Sequence, residues 1–215
     1  GHALGETPYS FSRCGNGLAL DLDKNIYQEL EKDNYWKDRA MRDPWVMKHP
    51  YENKFLMAYT ARASINNDPY QCGVIGMAES NDLYEWQSTK PLFGGLFSQL
   101  EVPQIFTVKD RWYCLFCNHP EDWSDEFKKN YNGPTRRGTH YLIADKFEGP
   151  WKLAPGPYLT TDTEIELYAG RVIKKDNSYF FMAFLHDDQN GNFIGEISNP
   201  IPINFDTNGL MSLEI

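Results

Sequence analysis

The sequence predicts an all-β chain built from the blades of a β-propeller, and three observations predict it. Short apolar runs of strand length alternate with polar turns along most of the 215 residues. The order acid, proline, apolar strand, polar turn, second strand recurs, and a further strand pair follows each recurrence. Aromatic content is 15%, with 13 Tyr, 13 Phe and 6 Trp, which suits cores packed between sheets. A single sandwich would not require the acid-proline openings to recur. Three full units of four short strands follow the tail of another unit, and the whole of 1–215 reads as one partial propeller domain.

In chain order, residues 1–16 are rich in turn formers and read as irregular. Residues 16–30 read as an outer strand, an exposed turn and a return, and the polar stretch 31–40 links them to the first unit. That unit begins MRDPWVMKHPYENKFLMAYTAR, with its turn at Tyr51-Glu52-Asn53. Its second half, residues 72–87, turns at Ser80-Asn81-Asp82. The second unit begins LEVPQIFTVKDRWYCLFCNHP, a hairpin turning at Lys109-Asp110 with Glu101 at its mouth. A polar insert, 121–138, precedes GTHYLIADKFEGPWKL. The third unit opens at Leu167, turns at Lys175-Asp176-Asn177 and closes with GNFIGEISNPIPI. Three such units leave sheet edges open, so a second chain or a preceding segment is expected to complete the ring.

A net charge of −9 argues against nucleic acid and against an anionic membrane surface, both of which call for a basic face. No apolar run is long enough to span a bilayer, and Gly1-His2 is consistent with a tag remnant. The absence of a signal-peptide pattern slightly favours a cytoplasmic setting, with the compartment otherwise unassigned. Cys14, Cys72, Cys114 and Cys117 read as free thiols: the one CxxC lies inside a strand, where its members face opposite ways, and nothing completes a zinc site.

Antiparallel pairing puts the start of each first strand and the end of its partner at the same rim. Asp43 and Glu101, expected at equivalent positions of two repeats, therefore share that rim with Arg62, Asn118, His119, Glu166, Tyr168, Arg171, His186 and Asp187. Acids, arginines and aromatic rings converging on one mouth predict a saccharide pocket. Glycosidic cleavage needs a protonated carboxyl for the leaving oxygen and an ionised one near the anomeric carbon. Leu100, Val102 and Pro103 would desolvate Glu101 and suit it to the acid role. Trp123 reads equally as a sugar platform or a packing residue, and Arg136-Arg137 as exposed charge. His186-Asp187-Asp188 reads as a solvated loop, with no metal expected. Asn67-Asp68-Pro69 reads as a turn.

Three motifs in order carry a family resemblance. Arg42-Asp43-Pro44 resembles the R-D-P motif of family 32 glycoside hydrolases, the invertase and fructanase group. Glu101-Val102-Pro103 resembles their E-C-P motif, with Val102 where cysteine is usual. Glu166-Leu167-Tyr168-Ala169 is similar to their D-F-Y-A segment, with Glu for Asp. The resemblance runs from about Gly17 onward. It implies a five-bladed β-propeller acting on fructosyl saccharides without a cofactor. Asp43 would stabilise the transition state through sugar hydroxyls and Glu101 would be the general acid/base. Arg42, His119, Trp123, Glu166, Tyr168 and Arg171 would line the pocket. The family's nucleophile is an Asp in a W-x-N-D-P-N-G-like motif on a first blade that this sequence does not show. A non-catalytic carbohydrate-binding propeller, or a family 43-like arabinosidase or xylosidase, is the alternative.

Overall fold

The three expected blades form as three antiparallel sheets in a computed structural model, which describes residues 1–28, 40–63, 65, 67–188 and 190–215. Two short strands come first, β1 (Ala3–Thr7) and β2 (Ser10–Arg13). Blade one pairs β3 (Met41–Lys48), β4 (Phe55–Arg62), β5 (Gly73–Ser80) and β6 (Gln87–Gly94) in sequence order. Blade two pairs β7 (Glu101–Val108), β8 (Arg111–Asn118), β9 (Gly138–Ala144) and β10 (Lys152–Leu153). Blade three starts with β11 (Leu167–Lys175) and β12 (Ser178–Asp187). Its third strand is broken into β13 (Phe193–Ile197) and β14 (Ile201–Phe205), both antiparallel to β12, and β15 (Met211–Leu213) closes the sheet. Pro200 stands in the break; it has no amide hydrogen to give a ladder.

The turns explain the register. Lys109 and Asp176 take φ of 54°, the left-handed conformation that lets a strand reverse within a few residues. The expected turn at Ser80 is wider than its first three residues: the Ser80 and Asp82 side chains collect the amides of Leu83, Tyr84 and Glu85, and β6 begins only at Gln87.

Period-two alternation sends side chains from each middle strand into two different cores. Leu56 and Ala58 of β4 meet Ile105, Cys114 and Leu142 between blades one and two. Tyr113 and Leu115 of β8 meet Val172, Phe181 and Ile203 between blades two and three. Burial pushes the Cys114 and Cys117 thiols up, consistent with inert packing residues.

The N-terminal stretch differs from expectation twice. Residues 1–16 contain the β1–β2 hairpin, which is exposed on both faces. Residues 17–28 form no strand; they lay Leu20, Leu22, Ile26 and Tyr27 over Met57, Tyr59 and Val74 on the outer face of blade one. The remainder of the expected return strand and the polar link, 29–39, lie outside the described residues. Tyr27 is buried, and its hydroxyl accepts from the Met77 amide at 3.0 Å and donates to the Thr89 carbonyl at 2.9 Å. Tyr27→Phe is therefore expected to cost about 1 kcal/mol, read as a lower urea midpoint at unchanged slope. Among the described residues no helix is long and apolar enough to cross a membrane.

Candidate active site

The inner strands of the three blades carry the same defect at the same place. The ladders slip between Arg42 and Trp45, between Glu101 and Gln104, and between Tyr168 and Arg171. Each slip holds one non-glycine residue with positive φ: Asp43 at 57°, Val102 at 51° and Ala169 at 51°. A bulge bends the strand and re-aims the side chain beside it. Here the three residues just before the bulges, Arg42, Glu101 and Tyr168, are brought together. Arg42 Nη2 hydrogen-bonds Glu101 Oε1, and the Tyr168 hydroxyl donates to Glu101 Oε2. Arg42 Nη2 also reaches the Gln99 side chain.

This geometry corrects the expected equivalence of Asp43 and Glu101. The prolines mark the register, so Asp43 corresponds to Val102 and Arg42 to Glu101. Asp43 lies alongside the cluster: its Oδ2 accepts from the Thr60 hydroxyl at 2.8 Å and the Val102 amide at 3.2 Å, and stands 3.7 Å from Arg42 Nε. The third blade has Gly170 in place of the proline, and a Cβ there would stand 2.2 Å from the Phe181 ring. The expected apolar enclosure of Glu101 is also corrected. Leu100 is buried in the core between blades one and two, and what faces the Glu101 carboxyl is Arg42 and Tyr168. Burial raises the Tyr168 phenol, and the negative charge of Glu101 adds to the rise, so Tyr168 holds its proton and donates it.

A second polar group adjoins the first through Tyr168, whose ring lies edge-on to His119 at 5.0 Å. Its hub is Arg137, which the sequence presented as exposed charge. Arg137 Nε donates to His119 Nδ1 at 2.9 Å, and Nη1 reaches Asp187 Oδ2 at 2.8 Å and Glu166 Oε2 at 3.4 Å. His186 Nδ1 is 3.2 Å from the same Nη1 and 2.9 Å from Asp187 Oδ1. Glu166, His186 and Asp187 bring their ligand atoms within 4.8 Å of one another, a spacing that could hold a cation. The Arg137 guanidinium already stands among them as the positive charge. Asp188 turns away, and its carboxylate caps the amides of Asn190 and Asn192 in an exposed loop. Arg136 is not surface charge either: Nη2 is held by the carbonyls of Thr160, Thr161 and Thr163.

The remaining candidates have structural surroundings. Trp123 does not face the mouth. It is 1% exposed, donates from Nε1 to Asn118 Oδ1 at 2.9 Å, and packs with Phe97, Phe127 and Tyr131 beneath α1 (Asp125–Asn130). The insert is thus a cap on the core between blades one and two rather than a sugar platform. Arg171 reaches the carbonyls of Val102 and Pro103 and lies 5.7 Å from the centre of the Trp45 ring. Arg62 is buried and holds the Ser98 and Pro69 carbonyls. Asp68 caps a short 3₁₀ turn, accepting from the Tyr70 amide.

Three blades whose inner strands gather an acid, an arginine and a tyrosine at one rim define a β-propeller with a polar axial mouth. The chain belongs to the glycosyl hydrolase family 32 N-terminal domain family, whose model matches residues 19–193. It is similar to a levansucrase of Rahnella aquatilis, 25% identical over an alignment of 153 residues that covers 59% of this chain and 35% of that protein. Among solved structures it is similar to the inulosucrase from Halalkalicoccus jeotgali bound to kestose. The TM-score is 0.75 at 17% identity, over 95% of this chain and 55% of that one. Bacillus subtilis levansucrase matches with a TM-score of 0.68 at 15% identity, over 90% of this chain and 55% of that one. The β-fructofuranosidase catalytic domain of Microbacterium saccharophilum K-1 gives 0.68 at 13%, over 90% and 49%. The chain thus spans about a third to a half of the length of these relatives, and supplies three blades of a five-bladed propeller.

Proposed function

We propose that this chain is the acid-bearing part of an enzyme that cleaves or transfers β-fructosyl units, with Glu101 as general acid/base and Asp43 as transition-state stabiliser. The observation that carries the proposal is the convergence of Arg42, Glu101 and Tyr168 beside Asp43. The relatives named levansucrase, inulosucrase and β-fructofuranosidase support the substrate class.

Each role follows from what the side chain touches. Arg42 and Tyr168 hold one oxygen of Glu101 each, so the carboxyl is fixed in orientation before substrate arrives. From that position Glu101 gives its proton to the glycosidic oxygen and later takes one from water or an acceptor hydroxyl. Asp43, anchored by Thr60 and the Val102 amide, presents a charged acceptor to ring hydroxyls, whose hydrogen bonds tighten as the anomeric carbon gains positive charge. Glu166, His119 and Tyr168 supply hydroxyl partners on the wall that Arg137 organises. Retention needs a nucleophilic carboxylate besides these two. The proposal assigns it to a further propeller segment, of the same polypeptide or of a second chain.

Calorimetry with fructose, sucrose and kestose tests the saccharide class. Binding is expected, and Asp43→Ala should weaken it by about tenfold or more through loss of a charged acceptor. No heat with any of the three sugars would count decisively against the proposal.

A further inference from the structure

Among the described residues, the innermost strands β3, β7 and β11 each pair on one side only, with β4, β8 and β12. Their other edges carry backbone amides and carbonyls that need partners away from water. In β7 those partners are side chains of the neighbouring blades. The Val102 amide donates to Asp43, and the Ile105 carbonyl accepts from Trp45 Nε1 at 3.1 Å. The carbonyls of Val102 and Pro103 accept from Arg171. β7 answers in kind. Gln104 is 3% exposed, and its carboxamide acts like a strand residue, donating to the Val172 carbonyl at 2.8 Å and accepting from the Val172 amide at 2.7 Å. Gln104 and Arg171 follow the bulges of their strands at the same position. Each side chain therefore grips the backbone of the other strand.

We propose that Gln104 and Arg171 form a reciprocal clamp that positions Glu101 against Tyr168. The proposal rests on Glu101 being the acid of the reaction above. Its physical basis is Val102, a β-branched residue held at φ 51° immediately after Glu101. Such a conformation costs about 1–3 kcal/mol and persists only where surrounding contacts impose it. Asp43 holds the Val102 amide and Arg171 its carbonyl, while Gln104 fixes β11 so that Arg171 and Tyr168 stay in register with β7. Release of either grip lets Val102 relax and swings the Glu101 carboxyl away. Neither side chain needs to touch substrate, so both are positioning residues.

The test compares Gln104→Met, Arg171→Met and Arg171→Lys with the parent chain, supplied with whatever partner segment completes turnover. With sucrose or kestose, kcat is expected to fall by about tenfold or more in the two methionine variants, because small misplacement of a reacting group is costly. KM should move far less, and Arg171→Lys, which still donates to the carbonyls, should recover much of the loss. A second readout needs no turnover: the ¹³C carboxyl line of Glu101, identified by its absence in Glu101→Gln. It should shift, broaden or double in both methionine variants. If the parent neither binds nor cleaves the sugars, the fructoside proposal fails and the clamp is judged on this line alone. A lowered melting temperature with unchanged kcat and an unchanged Glu101 line overturns the clamp and leaves only ordinary structural ties. Should Gln104→Met fail to fold, the two Arg171 variants decide between the same outcomes.

Discussion

Glu101→Gln should reduce turnover of sucrose or kestose by about 10²–10⁴-fold, the range for removal of a general acid/base. Glutamine keeps the shape of the side chain. Its carbonyl oxygen can still accept from Arg42, and the neighbouring tyrosine hydroxyl can accept from its amide nitrogen, since a hydroxyl both donates and accepts. The change therefore removes a transferable proton while leaving the mouth in place. Three measurements make the assignment specific. The melting temperature should stay within a degree or two of the parent, because the site is at a rim and not in a core. The loss should shrink for a fructoside with an activated phenolate leaving group, which departs without protonation. Saccharide affinity should hold, since Asp43 and Glu166 remain. Unchanged turnover would remove Glu101 from the mechanism. A parent chain that binds these sugars but never turns them over, even with the rest of the propeller supplied, would establish a carbohydrate-binding domain instead.

The blades were legible because each strand pair announces itself locally. A polar turn of two or three residues, such as Lys109-Asp110, separates runs of matched length, and the acid-proline openings recur at the inner strands. The bulges were not legible. A one-residue slip changes which side chain faces the axis, so counting from the acids paired Asp43 with Glu101, whereas counting from Pro44 and Pro103 pairs Arg42 with Glu101. The slip was readable in principle, since a proline fixes register better than an acid does. Arg137 was missed for a different reason. It sits beside Arg136 in a polar insert, and two adjacent arginines look like solvated charge until distant segments bring His119, Glu166 and Asp187 to Arg137 and the Thr160, Thr161 and Thr163 carbonyls to Arg136. Trp123 errs the other way: its indole found Asn118 and a packed core under a helix that a run of polar residues conceals. Gln104 carries a signal of its own. A glutamine at an inward position of an apolar strand must satisfy its carboxamide somewhere, and the free edge of the neighbouring inner strand is the available place.

That obligation to satisfy buried polar atoms also predicts how this fold responds to acid. His140 is 3% exposed, lies stacked on Phe116 at 5.4 Å, and is ringed by Phe97, Trp123, Phe127 and Tyr158. Its Nε2 is buried without a hydrogen-bond partner. Desolvation pushes its pKa from 6.5 down to about 3, because the imidazolium would have no water and no anion to meet it. Below pH 6.5 the unfolded chain takes up a proton that the folded chain refuses. Stability from this residue is therefore complete above pH 6.5 and is lost progressively as pH falls towards 3. With those two pKa values the loss is about 2 kcal/mol by pH 5 and grows by about 1.4 kcal/mol for each further unit until pH nears 3. Urea midpoints across pH 7.5 to 4.5 should show this decline in the parent. His140→Phe and His140→Leu should flatten it. Overpacking by phenylalanine or lost stacking with leucine can shift either variant's stability at every pH, but neither supplies a proton-uptake difference, so the slope is the diagnostic quantity. A parent slope that survives in both variants would move the acid sensitivity to groups other than His140, and Asp122 is not one of them. Desolvation raises its carboxyl while its bonds to Ser98 and His119 hold it down, and a raised carboxyl makes the fold relatively less stable as pH rises. Asp122 thus acts with the opposite sign, and the two residues can be told apart by the direction of the slope that each substitution removes.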